Sequence, residues 1–340
     1  MSLKETLETL IARRDLTPEE AEAALETIIR GGEGYDPCQA SAMLCLLRSK
    51  GETAEEIAGM VRAMQRHMIP VPLEVPSLDI VGTGGDGHHT VNVSTAASVV
   101  VASCGAAVAK HGNRSVSSKC GSADVLEACG IRLTVPPSVV QRCVNETGIA
   151  FMFAPAFHPA MKAIVPVRAA LGVRTVFNIL GPLLNPSKCA RMLIGVYSEP
   201  LVPLMAEALH QLGAEFALVV HCQGLDELAP VGIAKIATVR PSGVELSELD
   251  PQELGFAKCT IDDLKGGDCE ENAETLRQIL AGKLPGHATE TVVLNAGAAL
   301  YVAGKAESIK EGCGLARDAL REGRPLKVLQ QWALCSQRPE

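Results

Sequence analysis

Leu78-Asp79-Ile80-Val81 runs straight into Gly82-Thr83-Gly84-Gly85-Asp86-Gly87 and then into His88-His89-Thr90-Val91-Asn92-Val93-Ser94-Thr95. The first run reads as a buried strand and Ser94 to Cys104 as a helix, so the glycines fill a strand-to-helix turn. Glycine lets the backbone fold tightly and aim several N–H groups at one point, which suits phosphate oxygens. The positive end of the following helix and the Ser94 and Thr95 hydroxyls add to that preference. The plain alternative is a loop that only turns a corner. The stretch also matches G-x-G-x-x-G, but no Asp or Glu follows between Asp86 and Asp124 to hold a ribose, so a nicotinamide cofactor is disfavoured. No G-x-x-x-x-G-K-[ST] occurs.

Working outward, Arg191 to Tyr197 and Phe216 to Cys222 read as further buried strands, while Leu201 to Leu212 and Glu271 to Leu280 read as helices. Such alternation predicts an α/β domain around a central, mainly parallel sheet, with ligands beyond the carboxyl ends of the strands. Upstream the texture is helical. Leu3, Leu7, Leu10 and Ile11 share one face, and Thr17-Pro18-Glu19-Glu20 and Thr53-Ala54-Glu55-Glu56 have the form of capping boxes. Ile69-Pro70-Val71-Pro72 and Pro76 break that pattern. The expected division is a small helical domain over 1–72 and an α/β domain over 73–340.

Two more clusters follow strands. Lys110-His111-Gly112-Asn113-Arg114-Ser115-Val116-Ser117-Ser118-Lys119, then Gly121-Ser122-Ala123-Asp124, leaves the strand-like Ala107-Val108-Ala109. Lys110, Arg114 and Lys119, with His111 as a further candidate cation, make a local positive site able to clamp a polyphosphate. His221-Cys222-Gln223-Gly224-Leu225-Asp226-Glu227 ends in adjacent carboxylates, a hard-oxygen site for Mg²⁺ held together with substrate phosphates. Alone, such a pair is a solvated turn; beside two phosphate-type loops it reads as a metal site. His88-His89 has no metal spacing and reads as exposed loop.

The chain has 340 residues, 31 Lys+Arg against 39 Asp+Glu, and a net charge of −8, which argues against an electrostatic nucleic-acid binder. Aromatics at 3% leave little for base stacking. No apolar stretch approaches the roughly 18 residues of a membrane span. The start Met1-Ser2-Leu3-Lys4-Glu5-Thr6 lacks a secretory pattern. The 12 cysteines are scattered with no C-x-x-C, as expected for thiols in a reducing cytoplasm.

Taken together, the glycine loop, Asn92-Val93-Ser94-Thr95, Lys110-His111-Gly112-Asn113-Arg114, Gly121-Ser122-Ala123-Asp124 and Gly224-Leu225-Asp226-Glu227 resemble the anthranilate phosphoribosyltransferase family. So do His158-Pro159-Ala160-Met161-Lys162, Arg174-Thr175-Val176-Phe177-Asn178-Ile179-Leu180-Gly181-Pro182, Leu294-Asn295-Ala296-Gly297-Ala298-Ala299-Leu300 and Lys50-Gly51-Glu52-Thr53. The likeness spans nearly the whole chain in order, and the combination is specific where each motif singly is not. Val91 stands where that family often has Phe.

The resemblance implies the nucleoside phosphorylase/phosphoribosyltransferase type of fold. It implies transfer of a 5-phosphoribosyl group from phosphoribosyl pyrophosphate to the amine of anthranilate, in tryptophan biosynthesis, with two Mg²⁺ ions per site. A homodimer built through the helical domain, joined by helices from about 165–190, is implied too; the charge, apolar-run and cysteine readings above are what point to a cytoplasmic protein with no nucleic acid or membrane partner. The donor would be held by Gly82, Gly85, Asp86, Thr90, Asn92, Val93, Ser94, Thr95, Lys110, His111, Gly112, Asn113, Arg114, Ser115, Val116, Ser117, Ser118 and Ser122. Gly82, Asn113, His158 and Arg168 would line the anthranilate side, and Ser94, Asp226 and Glu227 would ligate metal. No residue is assigned as general base. Three rival readings are a pyrimidine nucleoside phosphorylase, a non-catalytic nucleic-acid-binding relative and a nicotinamide dehydrogenase. The Asp226-Glu227 pair and the Lys110-His111-Gly112-Asn113 loop favour the pyrophosphate-bearing donor over the first.

Overall fold

Four helices open the chain: α1 (Leu3–Ile11), α2 (Pro18–Arg30), α3 (Pro37–Lys50) and α4 (Ala54–Arg66). The capping boxes expected at Thr17/Glu20 and Thr53/Glu56 both form, each side chain accepting from or reaching back to an otherwise orphaned backbone N–H. A cap of this kind contributes about 1 kcal/mol. Glu56 also accepts the Leu16 N–H at 2.9 Å and the Lys50 ammonium at 3.0 Å, so the second box ties the α1–α2 connection to α3 and α4. The later helix Met161–Leu171 packs against α2 and α3, and Leu201–Gln211 packs against α4. Met161–Leu171 thus joins the helical unit, while Leu201–Gln211, which also packs on the strands Phe216–His221 and Ala234–Arg240, connects that unit to the sheet.

The computed structural model describes residues 2–32, 34–115 and 119–339. Its centre is a seven-stranded sheet: β1 (Ser77–Gly82), β2 (Ala107–Gly112), β3 (Ile149–Phe153), β4 (Arg191–Gly195), β5 (Phe216–His221), β6 (Ala234–Arg240) and β7 (Gly243–Leu249). The spatial order is β3-β2-β1-β4-β5-β6-β7. The first five strands run parallel; β6 and β7 complete the edge as an antiparallel hairpin. The buried parallel strands are near-continuous apolar runs because helices cover both faces of such sheets. α5 (Val93–Ser103) follows the glycine loop and packs against β1, β2 and the helix His287–Val302. That last helix is buried along almost its whole length from Thr291 onward, which explains why Val292-Val293-Leu294-Asn295-Ala296 has no polar face. Among the described residues no helix is long and apolar enough to cross a membrane.

Candidate functional site

In the order β3-β2-β1-β4-β5 the chain reverses direction of build at β1, and loops leaving neighbouring strands diverge there to form a crevice. The loop after β5 doubles back over the ends of β4 and β1. A Cβ on Gly195 would fall 1.4 Å from the Asp226 carbonyl oxygen, and one on Gly82 would fall 2.3 Å from the Asp226 carboxylate. Only glycine permits so close a crossing. Asp226 Oδ2 accepts the Gly84 N–H at 2.6 Å, and Glu227 Oε1 accepts the Ser94 N–H at 3.1 Å. The acidic turn is therefore bonded both to the glycine loop and to the first turn of α5, whose own N-cap, Asn92, makes no capping bond. Thr95 Oγ1 beside it is buried without a hydrogen-bond partner.

Asp86 faces Asp226 across the same space. Burial together with the Asp86 charge pushes the Asp226 carboxyl up to about 7, and burial with the Asp226 charge drives Glu227 well above the usual carboxylate range. Carboxylates crowded into one spot need a compensating cation. The donor set is oxygen only and belongs to two acids and a hydroxyl, which fits Mg²⁺ bound jointly with phosphates and water. Among the described residues no three His, Cys, Asp or Glu side chains close into a cage, and an ion arriving with phosphates requires none.

A second structural feature, an interrupted ladder, lies beside the crevice. β1 and β4 pair from Leu78↔Arg191 to Gly82↔Gly195, and β2 and β3 from Val108↔Ile149 to Gly112↔Phe153. Between them, β1 and β2 pair only at Ser77↔Ala107 and Leu78↔Val108. Beyond that point side chains replace the ladder. Asp79 Oδ1 accepts the His111 N–H at 3.1 Å, the Lys110 ammonium donates to the Ile80 carbonyl, and Asn185 Nδ2 donates to Asp79 Oδ2 at 2.7 Å and to the Ala109 carbonyl at 2.8 Å. All three side chains are buried. Where the ladder stops, Lys110 extends to within 3.4 Å of Ser94 Oγ. Burial raises the Asp79 carboxyl to about 6 and lowers the Lys110 ammonium, with the nearby Asp79, Glu227 and Asp226 carboxylates opposing that lowering.

His111 departs from its expected role as an added cation. Strand alternation turns it to the face opposite Lys110, where it is buried with its Nε2 3.1 Å from Nε2 of His158. Burial and the neighbouring ring bring it down to about 3, and burial brings His158 down to about 4, so both imidazoles are neutral. A base whose folded value lies below its unfolded one near 6.5 costs nothing above pH 6.5 and progressively more as the pH falls toward 4. His158→Gln is therefore expected to shrink the acid sensitivity of the fold by about 2–3 kcal/mol at pH 4.5 relative to pH 7.5. Urea unfolding of parent and variant at the two pH values measures this; a parent-to-variant difference independent of pH rejects it.

Arg114 is not an unpaired clamp here. It bonds Asp124 at 2.7 Å and Glu127 at 2.9 Å and stacks 5.7 Å from the Phe153 ring centroid. Asp124 also accepts from Gly121 and Ser115, closing the loop after β2 onto the helix that begins at Ser122. Val116, Ser117 and Ser118 lie outside the described residues. Asn113 stands exposed at the mouth of this loop. Thr90 and Val91 bridge to Lys265 and Leu264, and Asn92 bonds the Cys120 carbonyl at 3.1 Å and Asn272 at 3.2 Å, so it fastens the glycine loop, the β2 loop and the helix Cys269–Leu280 together. Arg168, partly buried, lies 5.8 Å from the Phe177 ring centroid. His88 packs against Gly224 and is only partly exposed, unlike the solvent loop expected.

Asp79, Asn185 and Gly195 belong to this architecture although the sequence alone assigns them no role. One signal was available: an acid inside the apolar run Leu78-Asp79-Ile80-Val81 has to be satisfied from a neighbour.

Comparison with known proteins agrees with this geometry. Residues 74–326 match the model of the glycosyl transferase family a/b domain, and residues 4–68 that of its helical bundle domain. An anthranilate phosphoribosyltransferase from Rubrobacter xylanophilus is 48% identical over 337 residues, covering 99% of this chain and 98% of that protein. One from Chlamydia felis is 43% identical over 337 residues, covering 99% and 97%. The crystal structure of the Thermus thermophilus anthranilate phosphoribosyltransferase superposes with a TM-score of 0.92 at 43% identity, covering 98% of this chain and 99% of that one. The Saccharomyces cerevisiae enzyme, in complex with PRPP and Mg, superposes at 0.89 with 28% identity over 98% and 97%. The chain belongs to the anthranilate phosphoribosyltransferase family.

Proposed function

We propose, with that membership as premise, how the residues of this cleft divide the work of the family's reaction. The reaction is transfer of the 5-phosphoribosyl group from phosphoribosyl pyrophosphate to the amine of anthranilate, a step of tryptophan biosynthesis. The amine nitrogen bonds to the anomeric carbon, the carbon–oxygen bond to pyrophosphate breaks with its electron pair leaving on the pyrophosphate, and the amine gives up a proton. Convergence of the glycine loop, Lys110 and Asp226-Glu227 on one crevice is the observation that carries this reading.

The glycine-loop amides, the first turn of α5 with Ser94 and Thr95, and Lys110 bind and orient the diphosphate. Lys110 is buried, with its Nζ held by the Ile80 carbonyl and Ser94, so its donor is placed before the phosphoribosyl donor arrives, and a preorganised donor stabilises developing negative charge better than a solvated one. Asp226, Glu227 and Ser94 would hold Mg²⁺, in two ions, which supplies charge neutralisation of the leaving group when bound. Asn113, His158, Arg168 and Gly82 line the acceptor side. Neutral His158 offers hydrogen bonding without repelling Arg168. Positioning of the amine in line with the anomeric carbon provides the remainder, and no side chain is assigned as base.

Loss of anthranilate fluorescence over time, with and without phosphoribosyl pyrophosphate and Mg²⁺, tests the proposal. Turnover dependent on both supports it, and phosphorolysis of uridine or thymidine instead would refute it. In the same assay Arg168→Ala is expected to raise the anthranilate KM about 10- to 100-fold, the equivalent of losing one charge-assisted carboxylate contact, with little change in the donor KM. An unmoved anthranilate KM removes Arg168 from the acceptor side. A domain division near residue 72, a cytoplasmic setting and a homodimer formed through the helical unit belong to the same proposal. Exposed Ile11 and Val165 on that unit support the dimer, which a monomer mass in sedimentation equilibrium would reject.

A further inference from the structure

Arg174 takes no part in the roles assigned above, yet it joins three separate parts of the molecule. Its guanidinium donates to the Gly85 carbonyl of the glycine loop and stacks 4.3 Å from the ring centroid of Tyr197, just beyond β4. Its own backbone carbonyl accepts a hydrogen bond from the guanidinium of Arg48 on α3. Both arginines are exposed, so neither is held by burial in a core.

The partner is significant because of what Gly85 is. Gly84, Gly85 and Gly87 have φ of +65°, +76° and +81°, and a run of glycines has no side chains by which the rest of the protein can fix it. On the adjacent pair Gly84-Gly85 itself, Asp226 accepts from the Gly84 N–H and Arg174 donates to the Gly85 carbonyl, while Asp86 accepts the His88 N–H on the far side of the loop. In a planar trans peptide the carbonyl and the following N–H point in opposite directions. Holding the Gly85 carbonyl therefore sets the direction in which the Asp86 N–H is presented. Stacking on Tyr197 limits the rotamers of Arg174, and the Arg48 bond anchors its backbone to the helical unit.

We propose that Arg174 is a positioning residue for the diphosphate-binding loop and that Arg48 extends it into a latch between the helical bundle and the sheet. The proposal rests on the reading that this loop binds the phosphoribosyl donor. Through the latch, the placement of the bundle against the sheet governs how well the loop amides are organised for phosphate, and leaves the acceptor side untouched.

Steady-state kinetics of the full chain with both substrates varied tests this, using Arg174→Ala, Arg174→Lys, Arg48→Ala and the Arg48→Ala/Arg174→Ala pair. Arg174→Ala is expected to raise the donor KM about tenfold, the weight of one charge-assisted hydrogen bond, with the anthranilate KM within about twofold of parent. Arg174→Lys keeps the charge but not the planar fork, and should recover only part. Arg48→Ala should raise the same KM by less, and add nothing once Arg174 is gone. A general loosening of structure would instead move both KM values together. An unchanged donor KM in Arg174→Ala, equal shifts in both KM values, or additive effects in the pair would each overturn the latch. If Arg174→Ala does not fold, Arg48→Ala decides: a selective rise in donor KM supports the latch and an unmoved one sinks it. An inactive parent would remove the site reading and the latch with it, whereas an active parent with an unaffected Arg174→Ala removes the latch alone.

Discussion

Asp226→Asn combined with Glu227→Gln is expected to lower kcat/KM by roughly 10²–10³-fold and to abolish saturable dependence on Mg²⁺. Both substitutions keep side-chain size and leave an oxygen to accept the Gly84 and Ser94 N–H groups, so the turn can stay where it is. What they remove is negative charge. In the protein without cation that charge is a burden, because burial opposes the ionisation of Asp226 and Glu227, and the charges of Asp86 and of each other add to it. The double variant should therefore be more stable than the parent without Mg²⁺, by about 1–3 kcal/mol at pH 8. The sign follows from raised carboxyls: the cost is full above the folded value, about 7 for Asp226, and vanishes below its unfolded value of 3.8. The advantage should shrink as the pH falls toward 4. Adding phosphoribosyl pyrophosphate with Mg²⁺ should reverse the order, stabilising the parent by mass action and the variant hardly at all. Thermal unfolding at pH 8 with and without the pair of ligands, beside a magnesium titration of activity, checks each part. A variant that titrates normally with Mg²⁺ would contradict the assignment of these acids. Gain of stability with loss of activity is the expected trade where a site stores unfavourable charge for its ligand.

The parts of this site that were legible in the sequence are those whose chemistry is local. The glycine loop, Lys110 and Asp226-Glu227 each directly follow a buried apolar run, and in a parallel sheet that placement alone brings them to one edge. The helix caps at Thr17 and Thr53 were legible for the same reason, since donor and acceptor are three residues apart. His111 was misread because its charge depends first on burial, set by which face of β2 it occupies, and then on a ring contributed by the segment after β3. Arg114 carries the same lesson, since its partners Asp124 and Glu127 become neighbours only when the following helix folds back. Asp79 and Asn185 replace the ladder between two strands after Leu78↔Val108, and although an acid inside the apolar run Leu78 to Val81 signals that it needs a partner, nothing local says that the partners are the His111 N–H and Asn185. Composition and periodicity report what a residue prefers; these roles belong to pairs that meet only in the folded chain.

Gly195 makes the sharpest case, and its substitution should have the largest structural effect of any single methyl group in the molecule's site. A Cβ there would overlap the Asp226 carbonyl oxygen at 1.4 Å and lie 2.3 Å from the carbonyl carbon, and neither atom can swing aside as the tip of a side chain can. Gly195→Ala must therefore move the acidic turn off the ends of β4 and β1, at a cost of about 3 kcal/mol or more, and a displacement of this kind should lower kcat/KM by at least about 100-fold. Gly82→Ala tests the same crossing more gently. Its Cβ meets the Asp226 carboxylate at 2.3 Å, the mobile end of a side chain, so the carboxylate can rotate away and the fold can survive. Loss of activity without much loss of stability is the expected pattern there. Gly314, exposed in the helix Ile309–Arg321 with no atom within 4 Å of its Cβ, should respond in the opposite sense. Alanine at that position is expected to stabilise by about 0.5–1 kcal/mol, by favouring the helical backbone, with activity unchanged. Urea unfolding and kcat/KM of the three variants give the order Gly195, Gly82, Gly314 if close backbone crossing is what holds the carboxylates in the crevice. Equal, mild effects at Gly195 and Gly314 would mean that the turn is free to sit elsewhere without loss.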